Sequence, residues 1–386
     1  MSDLSPPSAI ETLLAAVYAD GYGPVPPPIV QTSLFTFESY QAFEERMAGL
    51  SDSALYSRVQ NPTVSAFETM MAKLERGQAA VAFASGMAAI SSTLLALLQP
   101  GDRVACVEHV YPDTYRLLER ILRPFGIETS YHPISAFAND PTLLDGVKLA
   151  YLESPTSLMF EAVDLTKVSQ NARRHGTLTI IDNSWASPVL QNPLMSGIDV
   201  CVHSASKYIS GHSDTVAGVA ISNQDIVHRI RDLTLPLLGG KLAPFDAFLL
   251  TRGLRTLHAR MGRHEATANL FVDRLSMHPN VRAVHSPNAN QVPGLRGRSG
   301  LLSIEFDERL DVAAFCDALK LFRLGVSWGG FESLVLPARI GLAQAGAHNS
   351  LRRFEVPPQL VRISLGLEEP EELWADFARA IEASVT

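Results

Sequence analysis

A lysine with two hydroxyl side chains just ahead of it, in His203-Ser204-Ala205-Ser206-Lys207-Tyr208, stands downstream of the pair Asp182-Asn183. An aldehyde cofactor needs a lysine amine to hold it as a Schiff base, hydroxyls to take its phosphate, and a carboxylate to keep its ring nitrogen protonated. Lys207, Ser204 with Ser206, and Asp182 supply all three, so this segment predicts a pyridoxal phosphate (PLP) site. Lys207 has a double task in such a site: it holds the aldehyde and, once a substrate amine displaces it, moves protons.

Further residues fit around that core. Ala84-Ser85-Gly86-Met87-Ala88-Ala89 joins an apolar strand to a strongly helical run. The small residues there let Ser85, Gly86 and Met87 bring backbone amides at a helix N-terminus up to an anion. Tyr111, at the end of the strand region Arg103–Val110, offers a flat face to a cofactor ring. Arg362 sits in the largely apolar Val361-Arg362-Ile363-Ser364-Leu365-Gly366, where a lone charge is expensive. A bidentate clamp on a substrate α-carboxylate explains it, and a buried structural ion pair is the other reading. Asp113, just beyond Tyr111, favours a substrate with a cationic tail; it could equally cap a helix beginning at Thr114 or Tyr115.

Alternating strands and helices must position these residues. The stretch Gly21-Tyr22-Gly23-Pro24-Val25-Pro26-Pro27-Pro28 cannot continue a helix and reads as part of an extended arm. Apolar residues at helical spacing predict a helix over Val64 to Arg76, stopped by Gly77. Short apolar strands follow at Val81–Ala84, Arg103–Val107, Lys148–Leu152, Leu178–Ile181 and Val200–Val202, with helices at Tyr115–Leu122 and Leu165–Arg174. That alternation predicts an α/β fold with a mostly parallel sheet flanked by helices, and ligands in such sheets sit at the carboxyl ends of the strands. Beyond about Pro244 the pattern becomes α+β, with helices at Phe245–His258, Glu265–Leu275 and Val312–Leu321 and a strand at Leu301–Phe306. The expected division is an N-terminal arm over 1–58, a cofactor domain over 59–243 and a smaller α+β domain over 244–386.

Composition bounds the partners. A chain of 386 residues with 46% hydrophobic and 19% charged residues is a folded globular protein. Its net charge of −8, without a Lys/Arg cluster, argues against nucleic acid and leaves a small molecule as the expected partner. Cys106, Cys201 and Cys316 have neither metal-ligand spacing nor the even count of a disulfide scaffold, so no metal is expected and a reducing cytoplasm is. No run approaches the roughly 20 apolar residues of a membrane helix, and the N-terminus, with acidic Asp3, lacks a signal-like pattern.

These motifs resemble the Cys/Met-metabolism family of PLP enzymes, the γ-family of fold type I. The resemblance runs from Pro26-Pro27-Pro28-Ile29-Val30-Gln31-Thr32-Ser33 to Leu365-Gly366-Leu367-Glu368. It rests on Tyr56-Ser57-Arg58-Val59-Gln60-Asn61-Pro62-Thr63, the Ala84–Ala89 segment, and Ser204-Ala205-Ser206-Lys207-Tyr208-Ile209-Ser210-Gly211-His212-Ser213-Asp214. It implies a homotetramer, a dimer of dimers in which Tyr56 and Arg58 reach the neighbouring subunit's phosphate and the arm embraces the partner. Tyr56 then joins Lys207 and Tyr111 at the chemistry, while Ser327 and Trp328 help Arg362 bind the substrate carboxylate. Ile181-Asp182-Asn183-Ser184-Trp185-Ala186, Tyr151-Leu152-Glu153-Ser154-Pro155 and Ser327-Trp328-Gly329-Gly330-Phe331-Glu332-Ser333-Leu334 look most like bacterial cystathionine β-lyase, whereas Tyr56–Thr63 is closer to the γ-lyases and synthases.

The expected activity is therefore C–S β-elimination of cystathionine to homocysteine, pyruvate and ammonia. Heteroatom γ-elimination from canavanine, cystathionine or methionine is the rival, because both routes use the same cofactor and lysine. A non-catalytic binding protein would lack one of these site residues. A transaminase is disfavoured by the γ-family motifs.

Overall fold

The structure, a computed structural model, describes residues 25–287 and 292–385. The first part of the expected arm, residues 1–24, lies outside the described residues. The described residues build two sheets. The first has strands β1 (Ala79–Phe83), β2 (Arg103–Val107), β3 (Glu128–His132), β4 (Leu149–Glu153), β5 (Leu178–Asp182), β6 (Val200–Ser204) and β7 (Gly218–Ser222) in the order β1-β7-β6-β5-β4-β2-β3. The run from β3 to β6 is parallel, while β7 pairs antiparallel with β6 and with β1.

Burial explains which strands were legible. β4 is buried along its whole length and β6 nearly so, giving the continuous apolar runs of a sheet covered on both faces; β7, equally buried, was not among the expected strands. β3 lies at the sheet edge with every residue at least partly exposed, so Glu128-Thr129-Ser130-Tyr131-His132 carries no apolar run and gave no signal.

Helix α1 (Pro62–Leu74) begins where Asn61 accepts from the Thr63 amide at 3.0 Å, with proline in the first turn where no amide partner is lost. It buries Val64, Phe67, Met71 and Leu74, spaced to lie on one face, against β1 and the adjoining layer. Helix α2 (Gly86–Leu97) follows β1 directly, helix α3 (Pro112–Leu117) follows β2, and helix α4 (Leu165–His175), expected over Leu165–Arg174, precedes β5. The expected helix over Tyr115–Leu122 thus starts earlier, because Pro112 is pre-set for a first helical turn, and it widens to a π turn over Leu118–Leu122. Asp113 therefore stands inside the first turn rather than capping a start at Thr114 or Tyr115.

The second sheet, order β10-β11-β12-β9-β8, joins β8 (Val281–His285), β9 (Leu301–Phe306), β10 (Arg323–Leu324), β11 (Leu334–Pro337) and β12 (Leu360–Ser364). It packs with α6 (Leu257–Ser276) and α8 (Pro370–Glu382) around Phe271, Phe306, Phe315 and Phe377, whose rings meet edge-on with centroids 4.8 to 5.4 Å apart. The helix expected over Phe245–His258 is two: α5 (Pro244–Leu254) ends, and α6 begins after Thr256. The helix expected over Val312–Leu321 is α7 (Val312–Ala318), started by an Asp311 cap.

Candidate active site

The carboxyl ends of β4, β5 and β6 lie side by side, and the predicted residues gather there. Asp182 ends β5. Its Oδ1 accepts from the Ser184 amide at 2.9 Å and the Ser184 hydroxyl at 2.5 Å. The Ser184 oxygen in turn accepts from the Ser204 amide at 2.6 Å, so one hydroxyl ties the Asp182 turn to the end of β6. Burial raises the Asp182 carboxyl, while the Ser184 bonds and the neighbouring His203 and Lys207 pull the other way. Ser184 was quoted in sequence but given no role. Its signal is the Asp-x-Ser spacing, in which an aspartate accepts from the backbone two residues on.

Lys207 lies on the turn after β6. Its Nζ donates to Ser327 Oγ at 2.5 Å and stands 5.5 Å from the centre of the Trp328 ring. The carbonyl of Ser327 accepts from Arg362 Nη2 at 2.8 Å, so a single residue joins the amine to the guanidinium. Gly329 makes this close passage possible. At φ 86, a Cβ there would lie 2.9 Å from the Tyr208 amide and 3.1 Å from the Lys207 carbonyl carbon. Ser327 itself is at φ 71, a left-handed backbone that costs a non-glycine residue of order 1 kcal/mol and is found where the surroundings enforce it. Burial and the Arg362 charge lower Lys207 to about 8, against the opposing pull of Asp182. Arg362, on β12, is itself lowered to about 10 by burial, offset by the hydroxyls of Tyr111 and Tyr208.

At the start of α2, Ser85 caps the helix by accepting from the Ala88 amide at 3.0 Å. The amides of Gly86 and Met87, at the first two helical positions, stand outside the intrahelical ladder. A Cβ on Gly86 would come within 2.9 Å of both Cβ and Oγ of Ser204. The two segments therefore form a small-residue cradle at a helix N-terminus, which is what a phosphate requires. The Ser206 hydroxyl accepts from the Ala217 amide at 2.9 Å and donates to the Ala217 carbonyl at 3.2 Å.

Tyr111 precedes α3 with its hydroxyl on Asp113 Oδ2 at 3.1 Å, and its phenol is pushed up to about 12 by burial and then by the Asp113 charge. Asp113 is not a lone anion: its other oxygen accepts from Arg116, which also donates to Gln344 Oε1 at 2.6 Å. Arg116 was absent from the sequence expectations. It lies one helical turn from Asp113, a spacing that brings opposite charges together. Tyr56 and Arg58 stand apart from this cluster. The Arg58 guanidinium lies 5.7 Å from the Tyr56 ring centre and donates to the Pro236 carbonyl at 2.6 Å; neither residue is hydrogen-bonded to Lys207, Asp182 or Ser204 of the same chain.

A mostly parallel sheet with a lysine beyond β6, an acid ending β5 and a small-residue cradle between β1 and α2 defines a fold type I PLP-dependent enzyme. The Cys/Met metabolism PLP-dependent enzyme family model matches residues 13–382, and this chain belongs to that family. It is similar to L-methionine gamma-lyase of Pseudomonas putida, 35% identical over 95% of this chain and 94% of that protein. It is also similar to cystathionine beta-lyase of Coxiella burnetii, 34% identical over 93% and 95%. Among solved structures, cystathionine gamma synthase from Xanthomonas oryzae in complex with cystathionine superposes with a TM-score of 0.89 at 30% identity, covering 98% and 99% of the two chains. A Campylobacter jejuni structure carrying a pyridoxyl-lysine phosphate also superposes with a TM-score of 0.89, at 29% identity, covering 97% and 99%.

Proposed function

We propose that this chain is a PLP-dependent lyase that releases a sulfur-linked side-chain group by β-elimination, with cystathionine as substrate. The observation that carries the reading is the Lys207–Ser327–Arg362 connection, which sets a proton-accepting amine one residue away from a carboxylate clamp. Arg362 binds the substrate α-carboxylate, with Ser327 and Trp328 beside it, and so presents the α-carbon to Lys207. An amine titrating at about 8 is matched to removing that proton near neutral pH. Ser204 and the Ser85-Gly86-Met87 amides hold the phosphate, with Ser206 bracing the turn, and Asp182 keeps the ring nitrogen protonated. PLP, when bound, supplies the electron sink that makes the α-proton acidic. Tyr111 would stack on the ring, and its phenol, kept protonated at neutral pH, would give a proton to the departing sulfur.

The choice of cystathionine rests on Asp113 and Arg116. Their paired charges beside Tyr111 match a distal group that carries both an ammonium and a carboxylate, which methionine lacks. Heteroatom γ-elimination, on methionine, canavanine or cystathionine, is the second reading, supported by the likeness to L-methionine gamma-lyase. We also infer that the site is shared: Tyr56 and Arg58, unconnected to Lys207 within one chain, serve the phosphate of a partner in a homotetramer, and the protein works in the cytoplasm.

Incubation with cystathionine, methionine and canavanine separately, followed by identification of the products, tests the reading. Pyruvate and homocysteine from cystathionine are expected. Formation of 2-oxobutyrate or homoserine with no pyruvate overturns the β-lyase in favour of γ-elimination. Asp113→Asn is expected to raise KM for cystathionine with a smaller effect on kcat.

A further inference from the structure

Glu153 ends β4 directly beside Asp182. The two are register partners on adjacent parallel strands, so their side chains leave the same face of the sheet at its carboxyl edge. Glu153 is buried, and its hydrogen-bond partners are neutral: Oε1 accepts from the Tyr111 amide at 2.7 Å and Oε2 is 2.9 Å from the Ser157 hydroxyl. The ionisable groups that face it are Asp182 on β5, Cys106 on β2, Tyr151 on β4 and Tyr111 on the turn after β2, none of them a cation. Lys207 and His203 act on Asp182 instead. Two buried carboxyls side by side, with these stabilising groups on the Asp182 side, do not both ionise.

We propose that Glu153 is a positioning residue that keeps its proton, so that the negative charge of the pair rests on Asp182 while the neutral carboxyl fixes the backbone of Tyr111. Burial first, and then the Asp182 charge, push Glu153 to about 8, in the same direction. The neutral form donates to Ser157 Oγ and still accepts from the Tyr111 amide, so both hydrogen bonds survive protonation. A charged Glu153 would add a second anion next to Asp182 and raise the cost of holding either. The inference rests on the roles given above to Asp182 and Tyr111.

Glutamine reproduces the neutral state: it accepts from the Tyr111 amide and donates to Ser157. In the holoenzyme, Glu153→Gln is expected to keep kcat within about threefold of the wild type, while Glu153→Ala loses tenfold or more. An infrared difference between wild type and Glu153→Gln at pH 6 gives a readout free of turnover, and a protonated-carboxyl band present only in the wild type is expected. A purely carboxylate difference, or Glu153→Gln falling as far as Glu153→Ala, overturns the proposal. Where Glu153→Ala does not fold, the infrared difference decides alone. Lys207→Ala separates this from the underlying reading, since retention of the visible cofactor band there defeats the site assignment and leaves the infrared result standing.

Discussion

The Nζ of Lys207 lies 2.5 Å from Oγ of Ser327, and Ser327 is held at φ 71. A residue kept in a left-handed conformation, with its hydroxyl on the amine and its carbonyl on Arg362, pays a conformational cost to bring two functional groups together. Gly329 bears on the same geometry, because the chain turns there against the Lys207 backbone.

Substitution at Ser327 separates the two roles. Ser327→Ala and Ser327→Gly both remove the hydroxyl and are expected to lower kcat/KM alike. Glycine accepts φ 71 without penalty, so denaturant unfolding of the apoenzyme should find Ser327→Gly more stable than Ser327→Ala by about 1 kcal/mol. Equal stability of the two would mean that the left-handed backbone is not enforced in solution.

The Lys207 amine sets a pH dependence with a definite sign. Its folded-state value of about 8 lies below the ordinary 10.5, so between those values the unfolded chain binds more protons. Apoenzyme stability therefore rises from pH 8 to 10.5, the penalty is fully present below 8, and Lys207→Met abolishes the slope. The rate at which apoenzyme recovers its visible band on adding PLP should likewise rise with pH and level off above about 8. Arg362→Ala, which removes a neighbouring positive charge, should move that inflection upward.

Gly86→Ala tests the phosphate cradle. Its new methyl would meet Ser204 at 2.9 Å, a contact that neither backbone can relieve cheaply. Weaker PLP binding, by tenfold or more in an equilibrium titration, is expected with little change in secondary structure. Unchanged PLP affinity would remove the segment from the phosphate site.

How much of this was readable in the sequence follows from where each residue sits. β4, β5 and β6 announced themselves because strands buried in the sheet interior are apolar along their middles, and Asp182, at the end of β5, and Ser204 and Lys207, at the end of β6, were found as polar residues just where those runs stop. The edge strand β3 had no such pattern. Glu153 was hidden for another reason: a carboxyl at a strand end looks solvated until the register sets it beside Asp182. Arg116 escaped because its partners, Asp113 and Gln344, come from one turn of helix and from a distant segment of the chain. Ser206 was read as a phosphate ligand from its place in the motif; the bonds its hydroxyl makes to the Ala217 backbone, 11 residues on, are carried by no local pattern.

The shared site has its own test. If Tyr56 and Arg58 serve a partner's phosphate, then mixing an inactive Lys207→Ala protein with an inactive Tyr56 and Arg58 double-alanine protein should restore part of the activity, since some hybrid assemblies contain one intact site. No recovery after verified subunit exchange would place both residues in their own chain's site.

The most direct test of the central claim is chemical. Borohydride reduction of the holoenzyme followed by proteolysis and mass spectrometry is predicted to place a phosphopyridoxyl group on the peptide containing Lys207 and on no other, with Lys207→Ala unlabelled. Labelling at a different lysine, or equal labelling of the Lys207→Ala protein, would contradict it.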